Sequence, residues 1–130
     1  MRTGISPAVA GFAALLLAAA CRAADPTAPS ITPQELHARM LRGNAPLVVD
    51  VRTPEEYRAG HIPGARNVPY DQVAGRAREL ESERGVAMYC MKGPRARRGE
   101  QALLGAGATG VLHLEGGFSA WQEAGLPIEK

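Results

Sequence analysis

The sequence predicts an α/β domain built on an open, mostly parallel sheet with helices on both faces. Three observations carry this. Leu47–Val51, Val86–Tyr89 and Val111–Leu114 are short runs that stay apolar without alternating, the pattern of strands buried on both sides. Each run is followed by turn residues and then a helical segment. The alternation continues over about a hundred residues, which is the signature of a parallel sheet linked by helices.

Taken in order, Ile31-Thr32-Pro33-Gln34-Glu35-Leu36 opens a helix. Thr32 suits the N-cap, Pro33 the first helical position, and Glu35 a reciprocal capping bond. Ile31 and Leu36 fit a hydrophobic staple, Leu36, Met40 and Leu41 the buried face, and Gly43-Asn44 the stop. After the strand 47–51, Thr53-Pro54-Glu55-Glu56 repeats the capping logic and starts a short helix to Ala59. Gly60-His61-Ile62-Pro63-Gly64 is a turn, 65–69 a short strand, and 70–83 a helix that Gly75 weakens. The strand 86–89 leads through a loop to a helix over 95–104, with Ala96, Ala102 and Leu103 on its apolar face. The strand 111–114, the turn Glu115-Gly116-Gly117 and a helix over 118–124 complete the pattern before Gly125-Leu126-Pro127-Ile128 closes the domain. Trp121 and His113 are expected in the core, the histidine there or at a sheet edge, and His61 in a turn.

The N-terminus reads differently. Met1-Arg2 and the apolar, small-residue-rich run Ile5–Ala20 form a secretory signal pattern, too short for a comfortable membrane span. A retained anchor helix is the alternative. Leu17-Ala18-Ala19-Ala20-Cys21 resembles a bacterial lipobox, with Ala18 where such boxes usually prefer Leu. Ala18-Ala19-Ala20 also suits an ordinary cut after small residues, but a cysteine directly behind the apolar run favours a lipid on Cys21. The organisation expected is signal peptide 1–20, Pro/Ala-rich disordered linker 21–30, and one domain over 31–130. The destination is a bacterial cell envelope, with the membrane touched only through Cys21.

A net charge of +2 gives no case for nucleic acid. The three histidines lie on separate elements and the two cysteines form no CxxC pair, so neither a metal nor a cofactor is expected. Two cysteines could make one disulfide, but a modified or removed Cys21 would leave Cys90 alone.

Cys90 ends a strand and precedes a helix. The stretch 86–99 contains no acidic residue, yet it carries Lys92, Arg95, Arg97 and Arg98. A thiol in such a setting is pushed toward thiolate. Gly93 lets the backbone curl so that amides point inward, and the helix N-terminus adds partial positive charge. Pro94 removes one of those amides. A thiolate stabilised in this way needs no neighbouring base. The same cradle would hold a persulfide, a phosphocysteine or an anionic sulfur donor. The competing reading is an inert buried cysteine.

Three motifs together resemble the rhodanese-like sulfurtransferases. Asp50-Val51-Arg52 with Glu56, Tyr57 and Gly60-His61-Ile62-Pro63-Gly64-Ala65 is similar to their N-terminal signature. Cys90-x-x-Gly93-x-Arg95 is similar to their active-site loop, and Leu114-Glu115-Gly116-Gly117-Phe118-x-x-Trp121 with Gly125-Leu126-Pro127 to their C-terminal signature. The resemblance implies the rhodanese fold and a two-step sulfur transfer through a Cys90 persulfide, from a small anionic donor such as thiosulfate to cyanide or a thiol. It implies that Met91, Lys92, Gly93, Pro94, Arg95 and Ala96 line the substrate site, their backbone amides stabilising the persulfide and Arg95 helping to bind the donor. Asp50 and Arg52 would be supports, Asp50 as one half of an ion pair at a strand end. Many members carry Ser or Thr where this chain has Ala96. A monomer is expected. The alternatives are a persulfide carrier, a protein-docking module with little thiosulfate activity, and a cysteine-dependent phosphatase. The related phosphatases place arginine at the sixth position after the cysteine; here Arg95 is at the fifth.

The lipid on Cys21 is checked by radiolabelled fatty acid in cells: label is expected on wild type and lost in Cys21→Ala. An unlabelled wild type, or label retained by the variant, sinks it.

Overall fold

A computed structural model of the chain describes Gly4 and residues 27–130. Apart from Gly4, the expected signal peptide, Cys21 and linker residues 22–26 lie outside the described residues. Five strands form one all-parallel sheet in the order β1-β5-β4-β2-β3. They are β1 (Ser30–Ile31), β2 (Leu47–Asp50), β3 (Arg66–Asn67), β4 (Val86–Tyr89) and β5 (Val111–Leu114). The helices are α1 (Pro33–Leu41), α2 (Pro54–Ala59), α3 (Pro94–Gly105) and α4 (Gly117–Glu123).

The strands are apolar on both sides because both sides are covered. Val49, Met88 and Val111 point to one face, where Leu103 of α3 and the buried Val73 and Leu80 meet them. Val48, Ala87 and Leu114 point to the other, against Leu36 of α1 and Phe118 and Trp121 of α4. The central ladder pairs Leu47–Asp50 with Val86–Tyr89 residue by residue, so Asp50 and Tyr89 end their strands side by side.

Local chemistry explains most element boundaries. Thr32 Oγ1 accepts the Glu35 amide at 3.1 Å, but the Glu35 carboxylate turns to Arg39, so only half of the expected capping box forms. Thr53 and Glu56 make both halves. α1 ends as the Gly43 amide bonds the Met40 carbonyl and the Asn44 amide bonds that of Arg39, a Schellman stop.

Four expectations need correction. The helix expected over 70–83 is two short 3-10 segments, Tyr70–Gln72 and Ala74–Leu80, with non-helical backbone at Arg76. Tight turns serve there because the segment buries only Val73 and Leu80. Leu41 is 76% exposed and does not join the α1 core face. The strand expected over 65–69 shrinks to Arg66–Asn67. The linker reading fails at its end: Ala28 is buried, the Pro29 carbonyl accepts the His113 amide, and Ser30 belongs to β1. Residues 28–30 satisfy backbone groups on the outer edge of β5, so the folded unit starts before Ile31.

Asp50 and Arg52 form the tightest polar knot. Arg52 is 2% exposed and Asp50 fully buried. Arg52 Nε and Nη2 donate to the two Asp50 oxygens at 3.0 and 2.7 Å, and Nη2 also reaches the Gly60 carbonyl at 2.7 Å. Tyr89 Oη donates to Asp50 at 2.8 Å and accepts the Ile62 amide. Burial opposes the Arg52 charge, but the hydrogen bonds and charge of Asp50 outweigh it and raise its pKa. Burial and the Asp50 charge together push the Tyr89 phenol up, so it stays a donor. Removing one partner would strand a buried charge. Asp50→Asn is expected to lower unfolding free energy by about 3–5 kcal/mol, against less than about 1 kcal/mol for the exposed Glu35→Gln, both read by urea titration.

Candidate active site

Cys90 follows the last residue of β4, at the carboxyl edge of the sheet where ligands of such sheets gather. It is a free thiol, 1% exposed. Its Sγ accepts the Gly93 amide at 3.0 Å. Three residues, Met91, Lys92 and Gly93, connect it to Pro94, the first residue of α3. The Arg97 amide bonds the Gly93 carbonyl, while those of Arg95 and Ala96 lie in the first turn, where a helix supplies no internal acceptor.

The loop is shaped from outside. The Phe118 amide donates to the Cys90 carbonyl at 2.8 Å and the Ser119 amide to the Met91 carbonyl at 3.0 Å. A trans peptide sets its N–H opposite its C=O. With both carbonyls turned toward α4, the amides of Met91 and Lys92 face the other way, as an anion nest requires. Gly117 permits the contact: its φ is 61°, and a Cβ there would sit 2.7 Å from the carbonyl oxygens of both Cys90 and Met91. Gly93 has φ 153°, a conformation that side chains rarely adopt.

The cationic side chains are more committed than the local sequence suggests. Arg95 Nη1 and Nη2 grip the two oxygens of Glu56 at 2.7 and 3.1 Å. Arg97 reaches Glu100 and the Ala28 carbonyl. Arg98 lies over the Tyr70 ring at 5.9 Å. The charge of Arg95 is matched by Glu56, an acid brought in by α2 from outside the acid-free stretch. Lys92 and Pro94 are exposed, Met91 is half-buried, and Ala96 is fully buried with only its backbone to offer. Asp50 and Arg52 sit behind the loop as supports. Arg52 also lies 4.3 Å from the Phe118 ring, which carries its influence to α4.

Met91, Phe118, Arg52, Glu56, Gly60 and Ile128 border a pocket of about 350 Å³ beside the loop. A larger hollow of about 840 Å³ lies at the opposite end of the sheet, between residues 74–83 and the turn after α3, far from Cys90.

A family model for the rhodanese-like domain matches residues 32–124. The chain belongs to the rhodanese-like domain family. It is 40% identical over 74 residues to an uncharacterised protein of Bacillus subtilis, covering 57% of this chain and 59% of that one. The chain thus spans about three fifths of that relative's length. It is 36% identical over 119 residues to thiosulfate sulfurtransferase 16, chloroplastic, of Arabidopsis thaliana, covering 80% of this chain and 93% of that one. Among solved structures, the rhodanese-like domain of an Anabaena protein superimposes with a TM-score of 0.71 at 32% identity, over 78% of each chain.

Sequence reasoning missed Glu56 as the partner of Arg95, and it placed His113 in the core or at a sheet edge without seeing its partner Glu100. Glu100 also went unnoticed, although it lies four residues after Ala96 and three before Leu103, on the apolar face of α3. An acid on an apolar stripe was the available signal.

Arg95, chiefly through its hydrogen bonds, holds the Glu56 carboxyl down to about 2, from an ordinary 4.5. The folded value is the lower one, so the pair stabilises fully above about 4.5 and is lost as pH falls toward about 2. Both side chains are 31% exposed, and screening limits the contribution to about 1 kcal/mol. Urea unfolding is expected to show wild type ahead of Glu56→Gln by about that amount near neutrality, with the gap closing in strong acid. A gap that does not change with pH would remove the ion pair as its source.

Proposed function

We propose that this chain is a sulfurtransferase that carries sulfane sulfur on Cys90. The observation that supports this most is the Gly93 amide on Sγ, within a loop whose carbonyls are turned away from the sulfur. Such a cradle stabilises an anionic sulfur without an acid–base partner. In the first step the Cys90 thiolate attacks the outer sulfur of a donor such as thiosulfate. A Cys90–sulfur bond forms, the donor's S–S bond breaks, and sulfite leaves with the electron pair. In the second step the carbon of cyanide, or an acceptor thiolate, attacks the terminal sulfur. The S–S bond breaks, its electron pair returns to Cys90, and thiocyanate or an acceptor persulfide departs. The Arabidopsis relative's name includes thiosulfate, which supports this class of donor. The signal-like leader and Cys21 support placing the activity in a bacterial cell envelope.

A second reading, a persulfide carrier with little thiosulfate activity, draws support from the Arg95–Glu56 pair. That pair leaves less uncompensated charge at the loop for a dianionic donor. A phosphatase is disfavoured by the short passage from Cys90 to α3, which leaves a small ring for a large anion.

Incubation with thiosulfate and intact mass measurement decides the matter. Wild type is expected to gain one sulfur atom and Cys90→Ser none. Loading only from persulfide donors selects the carrier, and no loading from any donor ends the sulfurtransferase reading.

A further inference from the structure

His113 and Glu100 form a buried pair that the three sequence motifs do not include. His113 stands on β5, in register with Ser30 of β1 and Met88 of β4. Its Nδ1 is hydrogen-bonded to Glu100 Oε1, and Glu100 is 1% exposed while His113 is 7% exposed. The other Glu100 oxygen accepts Arg97 Nη1 at 3.3 Å. A buried carboxylate is costly unless paired, and His113 and Arg97 are the partners. On its far side the imidazole packs under the cysteine loop: a Cβ on Gly93 would lie 3.7 Å from both Cε1 and Nε2 of His113. Gly93 is the residue whose amide holds Cys90 Sγ. Carboxylate, imidazole, Gly93 and sulfur therefore stand in sequence.

The carboxylate is on the side away from the loop and the ring is against it. The hydrogen bond to Glu100 fixes the tilt of the ring, and the ring is the floor on which Gly93 rests. The loop also lacks two donors it could have had, an amide at Pro94 and a hydroxyl at Ala96, so more of the load falls on the Gly93 amide. We propose that the Glu100–His113 pair is a positioning device that fixes the imidazole beneath Gly93, holds the Gly93 amide on Cys90 Sγ and so favours the anionic sulfur of Cys90. Its use in holding a persulfide rests on the sulfurtransferase reading; its effect on the thiolate does not.

The test is the pH dependence of Cys90 alkylation by iodoacetamide, followed by intact mass, in wild type, His113→Gln, His113→Ala and Glu100→Gln. Thermal melting establishes that each variant is folded. Loss of the ring in His113→Gln is expected to free the Gly93 amide from Sγ and shift the pH midpoint of alkylation upward by about one unit, an approximately tenfold loss of rate on the acid side. Glu100→Gln still offers an oxygen to Nδ1–H and is expected to raise the midpoint less than His113→Gln does. A folded His113→Gln whose midpoint equals or falls below that of wild type overturns the proposal. Should His113→Gln not fold, His113→Ala is read in the same way. Alkylation requires no sulfur donor, so a failure to load sulfur and a failure here are separate outcomes.

Discussion

The hydrogen bonds from the Phe118 and Ser119 amides to the carbonyls of Cys90 and Met91 govern what the cysteine loop can do. A carbonyl oxygen beside a thiolate or persulfide would repel it. Binding those two oxygens to the start of α4 removes them from the cradle and, through peptide planarity, turns the following amides toward it. The glycine turn at Gly116-Gly117 has its physical reason here. A side chain at Gly117 would occupy the space through which the two backbones approach.

Behind this contact stands the Asp50–Arg52–Tyr89 knot. It joins the ends of β2 and β4 and ties the Gly60 turn to both. Asp50 and Tyr89 are fully buried and Arg52 nearly so, and their value lies in preventing the strand ends from separating. Arg52 also stacks on Phe118, so the same guanidinium that neutralises Asp50 supports the residue whose amide holds the loop. Trp121 completes the anchorage: it is fully buried and donates its indole N–H to the Pro127 carbonyl, which fastens the chain after α4.

Charge at the site is distributed rather than accumulated. Of the four cations between Cys90 and Gly99, Arg95 and Arg97 are balanced by acids from elsewhere, Glu56 from α2 and Glu100 from later in α3. Anionic sulfur would then be held mainly by backbone amides, which are fixed in direction and need no reorganisation when charge develops. Lys92 is left exposed on the loop.

The amino-acid sequence by itself determined the fold class, the three principal strands and the position of Cys90 at the end of one of them. These follow from local rules: apolar runs, capping threonines and glycine turns act over a few residues and leave a direct trace. It also carried the family motifs, because Asp50-Val51-Arg52, Cys90-x-x-Gly93 and Gly116-Gly117 are short stretches in which neighbours cooperate. Tertiary structure alone decided which charges are free, where the folded unit begins and which helix shapes the loop. Arg95 lies 39 positions from Glu56, Arg97 reaches 69 positions to Ala28, and Glu100 meets His113 across two elements. Such pairings depend on the register of a parallel sheet, whose neighbouring strands are joined by long crossovers. No local pattern records which distant side chain will arrive opposite.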